Sequence, residues 1–200
     1  MTTRRMVVWI TLPAFFLLAA ASIWAYRTSS NPLPNRDPLG EAFPTVVGQS
    51  LQKVPAEFPA IFLDEPTVLL IGYEQRAQFD IDRWIMGLLQ TDVPMRIVEV
   101  PTIPGLVPSF ASDWIDDGMR SGIPREDWAS VVTLYGEAAR PVAELTGTER
   151  GQLARVIVLD DRGDRRLVRR RGLLRAQGVG GCTSRLRATW NLTSGGLGSV

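Results

Sequence analysis

The stretch TVLLIG at residues 67–72 most limits what this chain can fold into. It is a continuous apolar run bounded by Pro66, as expected of a central strand covered on both faces. The residues that follow supply a helix. Ala77, Ile81, Trp84, Ile85 and Leu88 fall at i, i+4, i+7, i+8 and i+11, one apolar stripe at helical period. Asp80, Asp82 and Arg83 lie off that stripe. A buried strand, a short loop and an amphipathic helix therefore occupy residues 67–88.

The rest of the globular part repeats the alternation. TVVGQSLQKV (45–54) reads as two short strands turning at Gly48 and Gln49. MRIVEV (95–100) alternates like a strand, and PTIPGLVP (101–108) is a three-proline loop. SFASDWIDDGM (109–119) opens with Ser109, a good N-cap, and is expected to fray at Gly118 with Asp113, Asp116 and Asp117 exposed. IPREDW (123–128) resembles a one-turn helix with proline first and acids in its first turn. SVVTLY (130–135) is a strand, GEAARPVAEL (136–145) a helix that Pro141 kinks or restarts, and ARVIVLD (154–160) a late strand. DDRGD (160–164) turns into RRLV. The order is a β-hairpin followed by β-α-β-α-β-α-β-β, which implies an α/β fold with a mixed sheet flanked by helices.

Outside that domain, composition changes abruptly. MTTRR (1–5) carries two arginines, and residues 6–26 run for twenty-one positions without a charge. At about 1.5 Å per residue that length crosses a bilayer core of roughly 30 Å, so a transmembrane signal anchor is expected there. Arg4 and Arg5 place residues 1–5 in the cytoplasm and the domain beyond it, on the periplasmic side of a bacterial inner membrane. The competing reading is a cleaved signal peptide and a secreted domain. Residues 27–42 have the polar, proline-rich composition of a linker, and residues 43–167 form the domain. Residues 168–200, rich in glycine and arginine, read either as a disordered basic tail or as the product of a shifted reading frame. Nine arginines against Asp164 in residues 162–200 contrast with thirteen basic and twenty acidic residues before them. The domain itself is mildly acidic, which argues against a nucleic-acid partner.

That element order is similar to the thioredoxin fold with a peroxiredoxin-like N-terminal hairpin. More narrowly, VVGQSL, LLIGYEQRAQFDIDRW, GIPREDW with VVTLYG, and ARVIVLDDRG resemble bacterial relatives of the thioredoxin-like mitochondrial ATP-synthase assembly-factor family. The resemblance covers roughly residues 43–166 and implies a membrane-tethered domain that helps a membrane complex assemble. Laid over the usual strand-loop-helix, the two cysteine positions fall near Arg76 and Phe79, and the proline before the late strand falls near Ala154.

Those departures carry the functional reading. Thiol-disulfide exchange needs an attacking thiolate and a resolving sulfur. The chain holds one cysteine, Cys182, in the tail, and no histidine. Intramolecular disulfides, Cys/His zinc sites and Ser-His-Asp machinery are therefore excluded. No catalytic, metal or cofactor residue is assigned, and a thiol peroxidase working through Cys182 alone is the weakest reading. Glu74, Arg76, Asp80 and Arg83 sit where ligands favour open α/β sheets, at the strand's C-terminal end, and are the candidate partner-binding residues. The plainer reading is solvated charges with an Asp80–Arg83 ion pair. Trp84, Trp114 and Trp128 read as core. The expected function is a redox-inactive, membrane-anchored domain that binds a protein partner. An enzyme using carboxylate or arginine chemistry on a small substrate is the alternative.

Overall fold

Strand β3 (Thr67–Gly72) is buried along its whole length, and the molecule is built outward from it. The computed structural model describes residues 32–38, 40–62, 65–90, 95–105, 107–159 and 165–169, with backbone alone at 109–110 and 165–169. Pro32 apart, these residues belong to a compact unit beginning at Leu33.

The chain enters as β1 (Val46–Ser50) and β2 (Pro55–Phe58), and after β3 forms α1 (Gln78–Leu89) and β4 (Arg96–Ile103). Then come α2 (Ser109–Gly122), a 3-10 turn (Arg125–Ser130), β5 (Val132–Tyr135), α3 (Gly136–Thr146), β6 (Arg155–Leu159) and β7 (Arg165–Arg169). One seven-stranded sheet runs β2-β1-β5-β4-β3-β6-β7. β3, β4 and β5 are parallel, while β6 lies antiparallel to β3 and β7 antiparallel to β6.

The pleat of β3 divides the core into two. Leu69 and Ile71 pack with Val98, Val100, Ile157 and Leu159 and with Ala139, Val142 and Leu145 of α3. Val68 and Leu70 face the other way, onto Ile81, Trp84 and Leu88 of α1 with Val156 and Val158. Successive side chains of a strand alternate between faces, so a strand covered on both must be apolar throughout. The expected stripe on α1 is the one buried, and each such side chain contributes roughly 1.5–3 kcal/mol.

Several local expectations are corrected. The first hairpin turns over residues 51–54, and Gly48 lies inside β1. β4 runs three residues into the proline loop, because pairing passes at Pro101 from β3 to β5. α2 starts at Ser109 with Pro108 as its N-cap, and it continues through Gly118 to Gly122. β7 extends to Arg169, two residues into the expected tail, with Val168 opposite Ile157 and Arg169 opposite Val156. Part of the expected linker is docked: Leu33 exchanges hydrogen bonds with Thr148, and Arg36 N–H donates to the Thr146 carbonyl.

No helix among the described residues is long and apolar enough to cross a membrane. The expected span at 6–26, Cys182 and residues 170–200 lie outside the described residues.

Candidate functional site

The loop after β3 emerges where the strand's last backbone groups leave the sheet. Tyr73 and Glu74 lead into a 3-10 turn (Gln75–Ala77), closed by the Ala77 N–H on the Glu74 carbonyl at 2.9 Å, and α1 follows at once. Ala77 is buried beneath the loop, while Glu74, Gln75, Arg76 and Gln78 are exposed. Phe79 stands 70% exposed in the first turn of α1. The opposite wall is the turn before β6. A methyl group on Gly151 would lie 2.5 Å from Glu74 Oε1, so the Glu74 side chain rests on that glycine.

Of the four candidate residues, three reach the surface and one does not. Glu74, Arg76 and Arg83 are exposed. Asp80 is 4% exposed, and its Oδ2 accepts the Ala154 N–H at 3.0 Å. The reason lies at Ala154. Proline there would carry no N–H, whereas alanine leaves a buried donor that must be paired. Asp80 supplies the acceptor, bracing the loop from below instead of contacting a partner. Among the described residues no Asp80–Arg83 ion pair forms, because Asp80 points inward.

Next to the loop lie two polar clusters that sequence reasoning missed. Tyr73 donates to the Val142 carbonyl at 3.1 Å and shares a 2.6 Å hydrogen bond with Thr146. Burial pushes its hydroxyl up to about 12, against the lowering effects of Thr146 and the Arg155 charge. Arg155, 1% exposed, stands over the Tyr73 ring at 5.9 Å. It donates to the carbonyls of Leu153 and Glu149 and to Asn35 Oδ1 at 2.8 Å. The only sequence signal was an arginine inside the apolar run ARVIVLD.

Glu99, half-buried on β4, is the second cluster. Gln78 Nε2 donates to Asp82 Oδ1 at 3.0 Å and to Glu99 Oε2 at 3.4 Å. Burial raises the Glu99 carboxyl above its ordinary range. The Gln78 bond opposes that, and the charges of Asp82 and Asp127 add to it.

On α2 the acids separate. Asp116 is buried, accepting from Tyr135 at 2.7 Å and from Thr133 at 3.4 Å. The helix turns Ala111, Ile115, Asp116 and Met119 inward, so Trp114, read as core, is instead 78% exposed. Trp84 is buried as expected, and Trp128 is half-buried. Among the described residues no group of three His, Cys, Asp or Glu side chains could hold a metal ion. What the loop offers chemically is charge and an aromatic face held on a braced backbone.

No family model matches the chain, and no curated protein matches it significantly. Solved structures do. BsSco, a member of the Sco family of cytochrome c oxidase assembly proteins described with a disulfide switch, aligns with a TM-score of 0.52 at 10% identity, over 79% of this chain and 98% of that one. A thiol peroxidase from Chromobacterium violaceum aligns with a TM-score of 0.52 at 14% identity, over 78% of this chain and 91% of that one. A candidate electron transfer protein from Aquifex aeolicus VF5 gives 0.52 at 12% identity, over 78% and 99%. At such identities the likeness speaks for the fold alone. The chain has a thioredoxin-like fold, a mixed sheet flanked by helices.

Proposed function

We propose that this chain is a membrane-anchored, redox-inactive thioredoxin-like domain that binds a protein partner in the assembly of a membrane complex. The observation that carries the reading is the loop at residues 73–79. It joins β3 to α1 and presents Arg76 and Phe79 outward, and the sequence resemblance lays these two near the cysteine positions of a thioredoxin. The Asp80–Ala154 hydrogen bond holds this surface in place, and a preorganised charged and aromatic patch is what recognition needs. BsSco, which belongs to a family of assembly proteins, shows that this fold serves such work elsewhere. Anchoring rests on the uncharged residues 6–26 behind Arg4 and Arg5, which set the domain on the periplasmic side.

The test is affinity capture of the full chain from detergent-solubilised membranes, alongside the Arg76→Ala/Phe79→Ala double variant. A stoichiometric partner should accompany the parent and bind the variant at least about tenfold more weakly, the loss expected of hot-spot side chains. Equal capture would move recognition off this loop. Insulin reduction that vanished in Cys182→Ser would end the redox-inactive reading.

A second reading, an enzyme using carboxylate chemistry, draws on Glu99, whose carboxyl is raised beside Gln78 at the start of α1. Turnover abolished in Glu99→Gln, with no partner captured, would favour it.

A further inference from the structure

A concavity lies away from the loop, between the β1–β2 turn, the C-terminal half of α2 and the 3-10 turn at Arg125–Ser130. Its volume is about 430 Å³, and Lys53, Asp117, Arg120, Arg125 and Trp128 form most of its wall. That size falls within the range of small-molecule sites, roughly 300–1,000 Å³.

The wall is tied together by hydrogen bonds and ion pairs. Arg120 Nε donates to the Leu51 carbonyl at 2.8 Å, and its terminal nitrogens reach Asp117 at 2.6 Å and buried Asp116 at 3.8 Å. The Arg120 charge is thereby answered from within its own helix. Trp128 is fixed by its indole N–H on the Ile123 carbonyl at 3.0 Å. The guanidinium groups of Arg120 and Arg125 both stand over its ring, 5.9 and 5.7 Å from the centroid. Lys53 adopts φ +66°, in the left-handed region, with its N–H on the Ser50 carbonyl at 2.8 Å. This closes the turn that brings the lysine to the pocket wall.

Lys53 and Arg125 have no carboxylate within ion-pair distance among the described residues. Three cations and one carboxylate thus line one cavity, and the carboxylate is committed to Arg120. We propose that this pocket binds a phosphate monoester. Its oxyanion would be held by Lys53 and Arg125, and its organic part would run along the remaining wall toward Gln52. A doubly charged tetrahedral group answers two cations that no carboxylate pairs among the described residues, and guanidinium and ammonium are its usual donors. The ester is either a soluble metabolite or the headgroup of an anionic lipid. The pocket shares no residue with the loop at 73–83, so loss of one binding leaves the other intact.

The experiment is calorimetric titration of the full chain in detergent, at matched ionic strength, with three probes: glycerol 3-phosphate, dihexanoyl phosphatidic acid and dihexanoyl phosphatidylcholine. Saturable one-to-one binding of glycerol 3-phosphate marks a soluble ester, and binding of the phosphatidic acid alone marks a lipid headgroup. Either should weaken at least about tenfold in Arg125→Glu and further in Lys53→Glu/Arg125→Glu. Arg125→Gln, which removes the charge without reversing it, should show a smaller loss in the same direction. Both charged positions are exposed, and an unchanged urea midpoint checks that the variants fold. Absence of saturable heat with both phosphate probes overturns the assignment. So does equal affinity for phosphatidylcholine, or an unchanged affinity in the double variant.

Discussion

A buried N–H that no proline removes needs an acceptor, and Asp80 meets that need for Ala154. Asp80→Ala would leave the donor unpaired and should cost about 1–3 kcal/mol of unfolding free energy. Asp80→Asn keeps an oxygen in place and should cost less. Urea denaturation of both variants measures the difference, and equal losses would show that the hydrogen bond contributes little. Glu99 adds a pH dependence. The folded protein holds its proton to higher pH than the unfolded chain does, so between the ordinary and the raised values the folded state binds more protons. Stability contributed there falls as pH rises through that window. Glu99→Gln has no proton to lose. It should gain on the parent as pH rises through the window, with a constant difference below it. Unfolding free energies from about pH 4 to about pH 8 give the comparison. A difference independent of pH would show that burial does not shift this group.

At the scale of elements, the joint between β1 and β5 decides how the N-terminal hairpin meets the central sheet. A Cβ at Gly48 would lie 2.8 Å from Val132 Cγ1, 2.9 Å from Leu134 Cδ2 and 3.0 Å from the Thr133 carbonyl oxygen. Two of these neighbours are side chains that can shift. The carbonyl belongs to β5, whose Thr133 pairs with Gln49, and it can give way only if the strands part. Gly48→Ala should therefore destabilise by about 1–3 kcal/mol, the cost of overpacking. Hydrogen exchange at the β1–β5 pairing should quicken in step, and an unperturbed exchange pattern would place the strain elsewhere. A turn at Gly48 fitted the same residue by a different physics. Glycine marks turns because it tolerates positive φ, and it marks strand joints because it has no Cβ. In this hairpin it is the second property that counts.

For the molecule as a whole, the docked segment at residues 33–36 is what closes the domain. Asn35 accepts from buried Arg155, and Gly147, at φ +74°, passes so close that a methyl group would run into the Pro34 carbonyl and Asn35 Cα. Removing residues 1–36 should cost roughly 2 kcal/mol or more relative to removing residues 1–31, because a guanidinium loses a partner and the Leu33–Thr148 hydrogen bonds go. Urea midpoints of the two truncated chains test this. Equal stability would show that the segment merely lies on the surface.

What the sequence determined alone is the order of elements, the two-sided burial of β3, the inward stripe of α1 and the absence of paired thiols in the globular part. Each of these is read from neighbours within one or two helical turns, because periodicity is a local property of the backbone. The polar interior is another matter. Asp80 meets Ala154 across 74 positions, and Arg155 meets Asn35 across 120. Asp116, on the inward side of α2, is buried because Tyr135 and Thr133 arrive from a different element. A charged side chain shows in sequence only its type, and whether it is solvated or buried depends on donors and acceptors that the fold brings from far away. That is why Asp80 looked like a surface contact until the turn before β6 closed over it. For the same reason the pocket at Lys53, Arg125 and Trp128 exists only in the folded molecule.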